Sequence, residues 1–324
     1  GSEICIRDRG EAQLKAIMKA KEQGIDIVPV WNKSNREHQI IHSSPLDTRT
    51  EADAAVNKLN WENPYYVDAD HINLGTVDGF IPHSDFFTLD VADFIGSEVS
   101  QEELEDYMET CRPYSGQLEI PGIAEAFEIS EENLEGIART FLGAIREAAA
   151  IYRHVEAAKG AGNFIAEVSM DEVEAAQTPV ELFFILQMIS AYGIPAQTIA
   201  PKFSGRFNKG VDYVGDPIHF AKEFYQDVAV LAYAKRQFPL PANLKLSVHS
   251  GSDKFAIYNA INKTLAQFDA GVHVKTAGTT WLEELIGLAE AGGDALVLAQ
   301  EVYARAHAKS EQLCAPYASV IDID

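Results

Sequence analysis

Two histidines at the ends of strand-like segments have the residue types of a metal or catalytic site. His249 follows an alternating apolar run, residues 244–248, and precedes a cluster of Ser, Gly, Asp and Lys. His273 lies in a second strand-like segment, residues 271–275, which is also followed by Gly and hydroxyl residues. One such histidine would ordinarily be a satisfied core residue. Two histidines at matching strand ends favour a metal or catalytic site.

Strand-like segments alternate with helical segments along the whole chain, and this alternation predicts a parallel sheet. Eight segments have strand character: residues 25–30, 65–67, 86–90, 164–168, 196–200, 244–248, 271–275 and 319–323. We predict a single (β/α)8 TIM-like barrel. The sequence does not decide whether the barrel is complete at its two termini. A doubly wound open sheet is the alternative, although no GxGxxG motif follows a strand to support a dinucleotide site.

The first nine residues fit no period and carry no helix cap. We expect residues 1–9 to be a cloning remnant or a non-native tail. Residues 10–324 are then expected to form one TIM-like catalytic domain.

Ionisable residues collect at the carboxyl ends of the predicted strands, where a barrel places its active site. They are Asp68, Asp70, His71, Asp90, Glu167, Asp171, Glu172, Lys202, Arg206, His249, Lys254, His273 and Lys275. Histidines and carboxylates from separate strands are typical of a mixed N/O divalent-metal site. A helix cap is the simpler interpretation for Asp171. Glu167 lies inside an apolar strand, where an unpaired carboxylate would be costly.

The cations of this acidic chain suggest a local anion pocket. The chain has 26 Lys and Arg against 49 Asp and Glu, yet Lys202 and Arg206 follow a predicted strand end. They could simply be solvated, or they could bind a substrate carboxylate. Residues 250–252 could add backbone N–H donors at a helix start.

Composition excludes several classes of partner. The chain has 324 residues, 47% of them hydrophobic, and a net charge of −23, which argues against nucleic acid and anionic membranes. Three widely spaced cysteines imply no disulfide framework, and a cytoplasmic location is expected. The sequence contains no apolar run long enough to span a membrane.

Five segments together resemble the tagaturonate epimerase family, also called tagaturonate/fructuronate epimerases, whose relatives have been adapted as tagatose 4-epimerases. They are Asp68–His71, Glu167–Glu172, Phe203–Tyr213, His249–Phe255 and His273–Thr279. The resemblance covers nearly all of the chain from about residue 10 onward. Because family members are longer at both ends, we expect this chain to be truncated relative to them.

The resemblance implies a divalent-metal-dependent isomerase of hexuronate catabolism that interconverts D-tagaturonate and D-fructuronate, with tagatose and fructose as further candidate substrates. The metal, Zn, Mn, Ni or Co, is placed on His71, His249 and His273. Asp70 and Glu167 become the acid/base pair, with Glu172 in reserve. The implied substrate-binding residues are Lys202, Arg206, Ser250, Asp253, Lys254 and Lys275.

The carbon inverted in this reaction is β to the ketone, so simple enolisation would not make its C–H acidic. Metal-assisted retro-aldol cleavage with re-addition and direct proton transfer both remain open. We expect burial to raise the pKa of Glu167 and a bound cation to keep Asp70 ionised. A metal-dependent aldolase or ketose isomerase and a non-enzymatic sugar-binding protein are the alternatives. Whether the protein forms a homo-oligomer is open.

Overall fold

The computed structural model describes residues 2–6, 9–171, 173, 175–276 and 280–315. Its strands, in chain order, are β1 (Ser2–Ile6), β2 (Ile27–Ser34), β3 (Tyr66–Ile72), β4 (Phe86–Asp90), β5 (Gly116–Leu118), β6 (Phe127–Ile129), β7 (Ile165–Ser169), β8 (Thr198–Ala200), β9 (Lys245–Gly251) and β10 (Val272–Thr276). Eight of them form a closed parallel barrel in the order β1-β10-β9-β8-β7-β4-β3-β2. β5 and β6 form a separate antiparallel pair. The predicted TIM-like barrel is confirmed, and the open sheet is excluded.

Helices occupy most of the connections between the barrel strands. They are α1 (Gly10–Glu22), α2 (Asn35–Ile41), α3 (Pro45–Leu59), α4 (Gln101–Cys111), α5 (Glu131–Lys159), α6 (Pro179–Ala191), α7 (Pro217–Gln237) and α8 (Phe255–Phe268). Three further helices follow β10: α9 (Thr280–Ala291), α10 (Gly293–Ala308) and α11 (Ser310–Cys314). The connection from β3 to β4 contains only a short 3-10 turn, Val77–Gly79. In the described part of the chain, every helix is too short or too polar to cross a lipid bilayer.

The placement of β1 corrects the expectation that residues 1–9 lie outside the fold. β1 pairs in parallel with both β2 and β10, and it therefore closes the barrel. Glu3 and Cys5 on this strand are buried. The Glu3 carboxylate is paired with Lys245 Nζ at 2.6 Å. Glu3 makes this strand hard to predict, because a buried charge requires a partner. That partner, Lys245, is 242 residues away in the sequence. The predicted strand at residues 319–323 lies outside the described residues.

Apolar side chains on the outer face of the strands pack against the surrounding helices and form the main core. Helix α6 is buried on nearly all sides because it packs between α5 and α7 against the barrel. Its start is fixed as predicted, since Thr178 and Glu181 form a capping box before Pro179. This outer core leaves the barrel interior free to carry polar groups.

The inner face of the barrel is unusually polar. Successive side chains of a strand point to opposite faces, so alternate residues of each strand face the barrel axis. TIM-barrel interiors are typically filled by Val, Ile and Leu, whereas here Asp68, Thr88, Glu167 and Lys275 are buried and in mutual contact. Buried charges persist only when they are paired, so this interior is built around its ion pairs.

Candidate active site

Lys275 is the centre of the polar interior. Its Nζ atom lies 2.9 Å from Asp68 Oδ2, 2.8 Å from Asp70 Oδ1 and 3.2 Å from Glu167 Oε1. It also donates a hydrogen bond to the Thr88 hydroxyl. These groups come from four strands, β3, β4, β7 and β10, so the closed barrel is what brings them together.

The pKa directions within this cluster follow from burial and from the lysine. Burial opposes charge on Lys275, but the three carboxylates outweigh it and raise the Lys275 pKa well above its usual value. Burial also opposes charge on Asp70 and Glu167, yet Lys275 and the neighbouring histidines hold both pKa values well below the usual range. For Asp68 burial wins, and its pKa rises to about 7. The expectation of a raised Glu167 pKa is therefore wrong, because its cationic neighbours outweigh desolvation.

Three side chains beside this cluster have the donor set of a metal site. His71, Asp171 and His249 offer ligand atoms that all lie within 4.8 Å of one another. Asp171 Oδ1 is 2.9 Å from His249 Nδ1 and 3.5 Å from His71 Nε2. Both of these nitrogens are buried, and among the described residues their close polar neighbour is the Asp171 carboxylate, which is not aligned for a well-formed hydrogen bond to either. Two such imidazole nitrogens facing one carboxylate fit a divalent cation.

The opposite nitrogen of each imidazole is held by a carboxylate. Asp70 Oδ1 lies 2.7 Å from His71 Nδ1, and Glu167 Oε1 lies 2.9 Å from His249 Nε2. Carboxylates in this position orient metal-binding histidines and raise their basicity. Burial opposes charge on His249, but Asp171 and Glu167 outweigh it and raise its pKa to about 9. A metal ion would therefore compete with protons for these nitrogens.

The backbone at His71 has an unusual conformation. His71 has a φ of 52°, which non-glycine residues rarely adopt. The pairing of β3 with β4 shifts register between Ala69 and Ile72, which places His71 within an irregularity of the strand. Such strain is concentrated at functional sites. The ring centroid of His71 lies 5.0 Å from that of His249.

His273 lies deeper in the barrel than the other two predicted metal ligands. His273 pairs in register with Ser247, whereas Lys275 pairs with His249, so His273 lies two residues farther toward the amino end. Its Nδ1 is 3.7 Å from Glu167 Oε2, and its Nε2 is 3.5 Å from Cys5 Sγ. Burial lowers its pKa to about 3. The group of possible ligands contains Asp171 in place of His273.

The structure gives several of the other predicted site residues partners outside this centre. Ser250 donates to the Lys275 carbonyl, and Asp253 accepts from the Tyr258 hydroxyl. Lys254 is fully buried and bonded to backbone oxygens. Lys202 is half-buried and Arg206 is exposed, both after β8. Glu172 lies outside the described residues.

Sequence reasoning missed Thr88 and gave Asp171 a different role. Thr88 lies two residues from both Phe86 and Asp90 in β4 and therefore shares their inward face, and that parity is the signal that could have placed it inside. Asp171 was interpreted as a cap for α6, but Thr178 and Glu181 cap that helix. Asp171 instead accepts a hydrogen bond from Ser169 Oγ at 2.5 Å and faces His249.

A sequence model of the family described as tagaturonate epimerase matches residues 6–324. The chain belongs to the tagaturonate epimerase family. The curated tagaturonate/fructuronate epimerase of Thermotoga maritima is 29% identical over 280 residues, which is 81% of this chain and 54% of that protein. The chain therefore spans about half the length of this family relative.

Two crystal structures of the fructuronate-tagaturonate epimerase UxaE from Cohnella laeviribosi have the same fold. The one-glycerol complex superposes with a TM-score of 0.78 at 23% identity, and the native structure with 0.75 at 21%. Each comparison covers 97% of this chain and 64% of the other. The barrel is thus the shared fold of these chains.

Proposed function

We propose that this chain carries the active-site barrel of a metal-dependent epimerase that interconverts D-tagaturonate and D-fructuronate. Membership of the tagaturonate epimerase family supports the reaction class. The names of the Thermotoga maritima and Cohnella laeviribosi relatives support the substrate pair. The observation that carries the metal dependence is the group formed by His71, Asp171 and His249.

The proposed metal ligands are His71 Nε2, His249 Nδ1 and an Asp171 carboxylate oxygen. Asp171 takes the place of His273 in the predicted set because His273 lies one layer deeper in the barrel. Three ligands leave coordination positions for substrate oxygens, and a bound ion would polarise those oxygens as a Lewis acid. Zn, Mn, Ni and Co all suit this N/O donor set.

Asp70 and Glu167 are proposed as the proton-transferring groups. Both share Lys275, and both have pKa values held well below the usual range, so each would act first as a base. Lys275 donates to both carboxylates, so it fixes their separation and orientation. Glu172 stays a prediction.

Ionised carboxylates favour the retro-aldol route. One carboxylate would accept the proton of the substrate 4-hydroxyl while the C3–C4 bond breaks into an aldehyde and an enediolate. The aldehyde then rotates so that its other face points toward C3 of the enediolate. The C3–C4 bond forms again, and the carboxylic acid returns the proton to the C4 oxygen. This route requires the carboxylate to take a proton from an O–H group, which is easier than taking one from a weakly acidic C–H group.

Lys202 and Arg206 are proposed to bind the substrate carboxylate. They follow the carboxyl end of β8, which is the end that carries the active site in a parallel barrel. A guanidinium suits bidentate binding of a planar carboxylate. A cytoplasmic location and homo-oligomerisation stay predictions.

The deciding experiment compares two variants, Asp171→Asn and His273→Gln. Each purified protein is loaded separately with Zn, Mn, Ni or Co, its metal content is measured, and conversion of D-tagaturonate is followed by NMR. We expect Asp171→Asn to lose bound metal and epimerase activity, because the charged carboxylate ligand is replaced by a neutral amide. His273→Gln is the matched control and should retain stoichiometric metal.

The outcomes separate the parts of the proposal. Metal retained by Asp171→Asn but lost from His273→Gln would restore the three-histidine set. A metal-loaded wild-type protein that leaves D-tagaturonate unchanged would contradict the epimerase proposal. Cleavage of the substrate to fragments without formation of D-fructuronate would indicate an aldolase.

A further inference from the structure

The side chain of Lys254 is enclosed by neutral oxygens. Its Nζ atom lies 3.1 and 2.9 Å from the carbonyl oxygens of Asn208 and Val211. The carbonyl and hydroxyl oxygens of Ser252 lie at 2.8 and 3.0 Å. Lys254 is 0% exposed. An ammonium group donates at most three hydrogen bonds. These four acceptors therefore use all three N–H groups of Lys254, and no N–H group is left to bind a substrate.

Two of these acceptors belong to the segment that follows β8 at the carboxyl end of the barrel. We call residues 201–216, between β8 and α7, the strap. The strap leaves β8 beside the metal group, since Met170 N–H donates to the Ala200 carbonyl at 2.9 Å. Lys209 of the strap reaches Glu37 of α2, with Nζ 3.4 Å from Oε1. Helix α2 follows β2, which lies four strands from β8 in the ring of eight, so the Lys209 side chain links the strap to the opposite side of the ring.

The strap is fitted closely to the segment that carries Lys254. Gly251 has a φ of 68°, and a Cβ atom there would lie 2.5 Å from the Phe207 carbonyl oxygen. The Asp212 carboxylate accepts from the Ala256 N–H at 3.2 Å, at the start of α8. Ser252 Oγ accepts from the Gly210 N–H at 3.0 Å. The strap is thus attached to residues 251–256 along much of its length.

Arg206, the strap residue proposed to bind the substrate carboxylate, pairs with another part of the strap. Arg206 and Val214 form an antiparallel bridge that closes the strap into a hairpin around Asn208 and Val211. The Lys254 ammonium lies against the carbonyl oxygens of this hairpin and joins its two arms. Arg206 thus lies at the base of the hairpin whose turn contacts Lys254.

We propose that Lys254 is a positioning residue that fixes the strap at the carboxyl end of the barrel and thereby holds Arg206 in place for the substrate carboxylate. The part that concerns Arg206 rests on the proposed function. The part that concerns the strap does not, because it follows from contacts within the protein.

The test uses Lys254→Met in the metal-loaded protein. Methionine keeps a long unbranched side chain but donates no hydrogen bond. We expect the backbone amides of residues 206–214 to exchange hydrogen about tenfold faster, because a charge-assisted set of hydrogen bonds that closes the strap is lost. Metal content should stay unchanged. KM for D-tagaturonate should rise by about tenfold with kcat within about twofold, because substrate binding and not the chemical step is impaired.

Lys235→Met is the matched control. Lys235 Nζ also donates to backbone carbonyls, those of Ala242 and Leu244. These lie before β9, at the amino end of the barrel, so this variant should alter neither strap exchange nor KM. Ser252→Ala is a milder second variant, since it removes a hydroxyl that binds both Lys254 and Gly210. It should change strap exchange in the same direction by a smaller factor.

Unchanged exchange of residues 206–214 in both Lys254→Met and Ser252→Ala would overturn the proposal. Faster exchange with an unchanged KM would overturn its second half, the link to Arg206. Hydrogen exchange requires no turnover, so a protein without epimerase activity would still decide the role of Lys254.

Discussion

Two lysines, each buried at the carboxyl half of the barrel, have opposite surroundings. Lys275 is 6% exposed and faces three carboxylates and one hydroxyl. Lys254 is 0% exposed and faces four neutral oxygens. Burial disfavours the charge of both, yet the pKa of Lys275 is raised while that of Lys254 is lowered to about 8. At Lys275 the three close carboxylates outweigh burial, whereas at Lys254 burial outweighs the charges of Asp212 and Asp253.

This difference separates two uses of the same residue type. Lys275 compensates charge, because without it the carboxylates of the barrel centre would be buried with too few cations. Lys254 provides hydrogen bonds, because its partners are carbonyl and hydroxyl oxygens that stay neutral without it. Removal of Lys275 should therefore disturb the whole barrel, and removal of Lys254 mainly the strap.

The largest effect is expected for Lys275→Met. Loss of the ammonium leaves Asp68, Asp70 and Glu167 without their shared partner, and breaking a buried ion pair in this way costs about 3–5 kcal/mol. Urea unfolding at neutral pH measures this change in the free energy of unfolding. A loss below about 1 kcal/mol would contradict the charge-compensating role, because it would mean that the carboxylates tolerate the barrel interior unpaired.

An intermediate effect is expected for Gly251→Ala, which tests how tightly the strap fits over residues 251–256. Its positive φ and the nearby Phe207 carbonyl both oppose a Cβ atom, and a strained backbone of this kind costs about 1–3 kcal/mol. The control is Gly136→Ala, on an exposed position of α5 with open space around it. Alanine should stabilise that helix by about 0.5–1 kcal/mol. Thermal unfolding of both variants measures the contrast, and equal shifts in Tm would argue against a close fit of the strap.

The smallest effect is expected in the pH dependence of stability. The folded pKa of Lys254, about 8, lies below the unfolded value of 10.5, so between these pH values the unfolded chain binds more protons at this site. The contribution of Lys254 to the free energy of unfolding should therefore rise with pH across this window. The difference in stability between wild type and Lys254→Met, measured in urea at pH 8 and pH 10, should grow. A difference that shrinks would show that Lys254 keeps its proton like Lys275.

The sequence by itself determined the alternation of parallel strands and helices and most of the polar centre, although it missed β1, the strand that closes the barrel. Period-two strands separated by helices predict that strand ends meet at one edge. On that basis Asp70, His71, Glu167, His249 and Lys275 were expected together, and the structure brings them together. Parity along each strand is a local property, so it can be read before the fold is known.

Only the tertiary structure decided the depth of each side chain and the partners of buried charges. His273 and Lys275 share an inward parity, but one step of two residues is about 6.6 Å along a strand. The register between β9 and β10 therefore places Lys275 level with His249 and leaves His273 below. Glu3 likewise becomes a barrel residue only when Lys245, distant in sequence, neutralises it. Strand register and long-range ion pairs are set by barrel closure, and local sequence patterns carry neither.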